Sequence, residues 1–210
     1  RVTIGVKGSP ELTAPTAAVV DTEKKPWLNG MQFLKLDKSG KVVPNGRGGV
    51  AFKGRDVGST TIDLPYVANG EYDISTEFTE MGGTGTIVYA IPVGDAQCMV
   101  LKGSDYIGID MIQGKKALSN ETKKAFETKI GVLRKMLISV RKGKTELSAN
   151  IKVYLDEELL IDYEGPTADL SIAKAWDRGK HVFSVGNSGT NFEMPRYDIK
   201  MISGTIAPKQ

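Results

Sequence analysis

Short alternating or apolar runs recur along the chain, and a turn signal closes each one after about eight to twelve residues. The runs are rich in Val, Ile, Tyr and Phe: MQFLKL, GVAFKG, STTIDL, EYDISTEFT, GTIVYAIPV, QCMVLK, YIGIDMI, KMLISVRK, SANIKVYLD, ELLIDYEG, HVFSVG and YDIKMIS. About twelve strands are more than one small sheet holds, so the pattern predicts an all-β sandwich of two packed antiparallel sheets. In GEYDISTEFTE, Tyr72, Ile74, Thr76 and Phe78 point one way, and Glu71, Asp73, Ser75 and Glu77 the other. The first set reads as core and the acids as a wet face.

KVYLDEELLIDYEG predicts a hairpin. Ile151, Val153 and Leu155 alternate before a tight turn at Asp156-Glu157, and Leu159, Ile161 and Tyr163 alternate after it. The turn lacks the favoured glycine. SNETKKAFETKIGVL alone carries a helical period, with Phe126, Ile130 and Leu133 at i, i+4 and i+7. Gly131 weakens that pattern, and a loop with one helical turn is the other reading.

The 210 residues suffice for one large domain, residues 1–210, with 1–30 as a peripheral N-terminal segment holding Pro10, Pro15 and Pro26. A net charge of +3, with lysines spread through loops, gives no reason to expect nucleic acid. Cys98 is the only cysteine and His181 the only histidine, which excludes an internal disulfide and argues against a zinc cluster; no metal or cofactor is expected. Cys98 lies in an apolar run and reads as a buried thiol, and His181 lacks an evident partner as a general base. No run of eighteen apolar residues exists, so no membrane span is expected. The chain opens at Arg1 without a methionine. A trimmed start accounts for that; so does a removed leader, with an extracytoplasmic bacterial location.

The order LPYVANGEYDISTEFT, GTIVYAIPVGDAQCMVLKG, IGIDMIQGKKALSNET, YLDEELLIDYEG and VFSVGNSGTNFEMPRYDIKMISG resembles the concanavalin A-like lectin/glucanase superfamily. More narrowly, it is similar to jelly-roll domains of planctomycete-type bacteria and to bacterial 3-keto-disaccharide hydrolase domains. The resemblance runs from about Ile62 to Ser203 and implies a jelly roll with one concave face, where many relatives bind or cleave sugars. Fold alone does not transfer that activity.

Glucanases of that superfamily carry two glutamates on one strand as nucleophile and acid, flanking an aspartate. Here Glu71 and Glu77 are about 20 Å apart along an extended strand. Catalytic carboxyl pairs sit about 5–5.5 Å apart in retaining enzymes and about 6.5–9.5 Å in inverting ones. A catalytic pair must therefore join strands, and Asp110 with Asp73 or Glu77 is the arrangement to test.

A ligand site is read from YIGIDMI. With Ile107, Ile109 and Met111 inward, Tyr106, Gly108 and Asp110 face outward: a ring and a carboxylate either side of a bare backbone. Sugars are held by stacking on rings and by hydrogen bonds to polar groups. Leucine at position 108 is expected to block the groove without unfolding the chain. Gln97 joins this face if Cys98 and Val100 are buried. Asn120 and Thr122 follow in a polar loop that either gates the site or is a capped turn. Trp176 is either a stacking platform or a plug in the sandwich. GNSGTNF reads as a tight turn, since no helix follows to cradle an anion. Arg134, Lys135, Arg141, Lys142 and Lys144 read as a solvated basic rim, not an anion site. Three functions follow: a carbohydrate-binding domain with a saccharide partner, a glycoside hydrolase acting on a sugar or keto-sugar, or a structural or protein-interaction module.

Overall fold

A computed structural model describes residues 25–31, 40–54 and 59–209. MQFLKL beyond Met31 and most of the N-terminal segment lie outside these residues. The described strands are β1 Leu28–Asn29, β2 Val42–Pro44, β3 Val50–Phe52, β4 Ser59–Asn69, β5 Tyr72–Val93, β6 Ala96–Lys102, β7 Tyr106–Asp110, β8 Lys124–Ala125, β9 Leu133–Lys142, β10 Ser148–Leu155, β11 Glu158–Pro166, β12 Val182–Met201 and β13 Thr205–Pro208. They form one 13-stranded antiparallel sheet folded over into two layers.

Two long strands make the fold. β5 has 22 residues and β12 has 20, and they pair along most of their length, from Ser184 opposite Ala90 to Met201 opposite Tyr72. The first half of β5, Tyr72 to Thr79, borders β9, which leads on to β10 and β11. Its second half, Ile87 to Val93, borders β6, which leads on to β7 and β8. The same strand thus serves both layers. At the corner between them Gly82 and Gly83 take φ of 127° and 104°, values that side chains with a Cβ rarely adopt. Register shifts in β12 opposite the corner let it turn as well.

The alternation read from the sequence fills the space between the layers. Tyr72, Ile74, Phe78, Ile138, Ile151 and Val153 come from the first layer. Tyr89, Ile91, Val100, Ile107, Ile109, Phe183 and Val185 come from the second. Each such large apolar side chain removed from water contributes roughly 1.5–3 kcal/mol. The Tyr72 hydroxyl crosses the core and donates to the Pro92 carbonyl, and its ring meets Phe183 edge-on at 5.0 Å.

Residues 120–132 are not helical: they hold β8 and turns. Asn120 and Thr122 bond to the β7 backbone, and Gly131 takes φ 76°, both incompatible with a continuous helix. Phe126 packs against the core, while Ile130 and Leu133 are exposed. Met111 departs from the alternation of YIGIDMI. Its φ of 62° turns the chain, so Ile112 enters the core and Met111 joins the outer side. Lys102, last on the inward face of β6 after Cys98 and Val100, is fully buried and paired with Glu80.

Candidate functional site

The outer face of the second layer carries its own small apolar cluster, Val88, Ala90 and Met99. It is partly roofed by residues 170–177. That segment is fastened to the turn after β7: Leu170 bridges Ile112, the Gln113 N–H donates to the Asp169 carbonyl at 2.7 Å, and the Ser171 hydroxyl donates to Met111. It ends in a 3-10 turn, Lys174–Trp176, which delivers the indole to the sheet. Trp176 lies over Gly186 of β12, where a Cβ would come within 2.8 Å of the ring and 2.1 Å of the Thr60 carbonyl. The first glycine of GNSGTNF therefore seats the tryptophan.

Between this segment and the turn after β7 lies a groove of about 330 Å³. Val88, Met99 and Leu101 floor it, Tyr106, Lys116 and Leu118 stand on one side, and Ala173 and Trp176 on the other. Thr86, Ser188 and Asp110 complete the lining. Tyr106 is half-buried, and burial, with help from Asp110 and Asp105, holds its phenol above the ordinary range although Thr86 opposes the shift. Asp110 is 8% exposed, and one of its carboxylate oxygens accepts the Ala117 N–H at 2.7 Å.

Of the residues singled out from the sequence, Tyr106, Asp110 and Trp176 meet in this groove. Three others do not. Gly108 does face the outer side, but the 3-10 turn Ala117–Ser119 closes over it: a Cβ at 108 would lie 3.0 Å from Ala117 Cβ. A leucine there would push out the turn instead of entering solvent. Gln97 is buried and donates to the Gly179 carbonyl at 2.5 Å, which ties the 177–180 loop to β6. Asn120 donates to the carbonyls of Ile109 (2.8 Å) and Lys115 (3.3 Å), and its side-chain oxygen accepts the Thr122 N–H. Together with Thr122, which accepts the Ile109 N–H at 2.8 Å, it occupies backbone groups of β7. The loop is a fastening, not a gate. Lys116 and Leu118 escaped the sequence reading; the Ala117 beside them, small enough to sit on Gly108, was the available signal.

The proposed acid pair is separated by the core. Asp73 and Glu77 alternate with buried Ile74 and Phe78 on the first layer, and Asp110 alternates with buried Ile109 on the second. They point from opposite outer faces of the sandwich. Asp73 accepts from Ser139 and from Arg141, each at 2.7 Å, while Glu77 stands in register with Arg196 and Lys135. Glu71 accepts the Lys142 N–H, which is the main cause holding its carboxyl below the usual range. Arg134 and Arg141 are paired with Asp156 and Asp73, so the basic rim is partly neutralised.

Burial pushes the Cys98 thiol up to about 12, which leaves it no thiolate to attack with at neutral pH. A larger depression of about 630 Å³ opens between β11 and residues 121–125. Four acids line it, Glu121, Glu158, Asp162 and Glu164, of which Asp162 and Glu164 are already engaged by Asn150, Lys152 and the Lys144 N–H. Among the described residues no group of three His, Cys, Asp or Glu could hold a metal ion, and no helix is long and apolar enough to cross a membrane.

No family model matches the chain, and no curated protein matches it. Solved structures do. The carbohydrate binding module CBM66 from Bacillus subtilis aligns with a TM-score of 0.52 at 9% identity, over 85% of this chain and 98% of that one. A seed lectin of Lotus tetragonolobus aligns at 0.53 and 14%, over 88% and 100%. Peanut lectin bound to a nine-residue peptide aligns at 0.53 and 10%, over 89% and 100%. The chain has the concanavalin A-like fold. These likenesses do not extend to the narrower kinship with keto-disaccharide hydrolase domains. In this jelly roll the groove sits on the outer face of the layer built from β5, β6 and β7, with one wall supplied by the segment between β11 and β12.

Proposed function

We propose that the domain binds carbohydrate in the groove between Tyr106 and Trp176. The observation that supports this is the meeting of two aromatic side chains, from segments far apart in sequence, over an apolar floor with hydroxyl and ammonium groups at the edge. Sugar rings present C–H faces that pack on aromatic rings, and their hydroxyls bond to the polar rim. The structural neighbours include a carbohydrate binding module and seed lectins by name, which makes saccharide the first ligand class to test. Asp110 is the one carboxylate among the residues lining the groove. Glycoside cleavage ordinarily uses two at close range, so binding without turnover is the reading the lining favours.

A glycan array followed by calorimetric titration tests it. Tyr106→Ala and Trp176→Ala should each weaken a bound glycan by about 1–2 kcal/mol, as aromatic hot spots do. Circular dichroism of both variants should match the parent. If no glycan class binds, or if both variants bind as the parent does, the groove is not a sugar site.

A further inference from the structure

We infer that the saccharide bound in this groove is an acidic one, carrying a carboxylate on the ring as a uronic acid does. The inference rests on the carbohydrate reading above and adds the charge of the ligand. Two ionic side chains line the groove, and they differ in availability. Asp110 is 8% exposed, and one carboxylate oxygen is already bonded to the Ala117 N–H. Lys116 is exposed, on the turn that covers Gly108.

Two more exposed lysines stand next to lining residues in the chain. Lys115 precedes Lys116 on one wall, and Lys174 begins the 3-10 turn that carries Trp176 on the other. None of the three is in an ion pair among the described residues. The carboxylates nearest Lys174 in sequence have other partners: Asp169 accepts from Gln113, and Asp177 accepts the Gly179 N–H.

The Thr86 hydroxyl is engaged by Tyr106 and the Ser188 hydroxyl by Ser59, so among the described residues the donors left to a ligand at the groove are the Lys116 ammonium and the Trp176 indole N–H. A neutral sugar would leave the lysine field unused. A ring carboxylate seated by Lys116, with the sugar face on Trp176 or Tyr106, would use both halves of the lining. Lysines on both walls of a partly enclosed groove also raise the local concentration of an anionic ligand before contact.

The test compares oligomers of galacturonic, glucuronic and mannuronic acid with their methyl esters, which keep the shape and remove the charge. Calorimetric titration of the full chain should show at least one acid bound tenfold or more tighter than its ester. Lys116→Ala should remove most of that difference and Lys116→Arg should keep it. The preference should fall between about 50 and 300 mM salt, as the screening length shortens. Esters or neutral glycans bound as tightly as the acids, or a preference unmoved by Lys116→Ala, would overturn the inference and leave the carbohydrate reading standing. Failure of every saccharide, acidic and neutral, would overturn both.

Discussion

Lys102 is a charged side chain with no exposure, at a position where the alternation of β6 demands an apolar one. Its ammonium donates to Glu80 and Thr128 and lies 5.1 Å from the centre of the Phe126 ring. Thr128 in turn donates to the Ser104 carbonyl at 2.5 Å, so the charge pins the loop between β8 and β9 onto the sheet. Burial, opposed by Glu80, holds the Lys102 pKa below its ordinary value. Lys102→Ala should cost about 3–5 kcal/mol in denaturant unfolding, because Glu80 is left buried and unpaired. The double change Lys102→Met with Glu80→Gln should cost clearly less. Equal losses would show that the lost packing, not the orphaned charge, sets the penalty. Nothing in QCMVLK distinguishes this lysine from one ending a strand at the surface, because its partner comes from another strand. Asn120 and Gly108 were opaque for the same reason: the backbone groups and the methyl group that occupy them lie across a turn.

At the scale of elements, the hairpin between β10 and β11 shows what the pattern could and could not reveal. Its strands were legible from alternation, and its turn position from the polar pair Asp156-Glu157. The conformation was not: both residues take positive φ, 48° and 73°, as a type I′ turn requires, without the usual glycine. Asp156 has compensation, since its carboxylate accepts the Lys135 N–H at 2.8 Å and pairs with Arg134. Among the described residues Glu157 has no such bond to offset a left-handed backbone that costs a side chain roughly 1–2 kcal/mol. Glu157→Gly should therefore stabilise the fold by about 1 kcal/mol, read as a higher denaturant midpoint at unchanged slope. A lower midpoint would mean that the entropy glycine adds to the unfolded chain outweighs the relief. β5 and β12 were each read as two strands, because glycines at the corner interrupt the apolar pattern. The helical period at 119–133 came from Phe126, Ile130 and Leu133, of which Phe126 alone packs on the core.

For the whole molecule, the core is rich in groups that ionise in alkali. Burial raises Cys98 from 9.0 and Tyr163 from 10.0, both to about 12, and raises Tyr72, Tyr89 and Tyr197 as well. The unfolded chain ionises these groups at about 9 to 10 while the folded chain keeps them protonated. Their contribution is complete below about pH 9 and is lost as pH rises toward 12. The denaturant midpoint should hold from pH 7 to 9 and fall steeply by pH 11, and a flat profile across that range would refute this. The layered architecture was legible because its inward set recurs in nearly every strand; the groove was not, since one wall arrives from a segment with no periodic signal. The two shared strands also order events during synthesis. β12 borders β1, β3, β4 and β5, so until residues 182–201 have left the ribosome each of those partners has an unfilled edge. The nascent chain thus carries four strands, the long β5 among them, without a closing neighbour until β12 emerges late in synthesis.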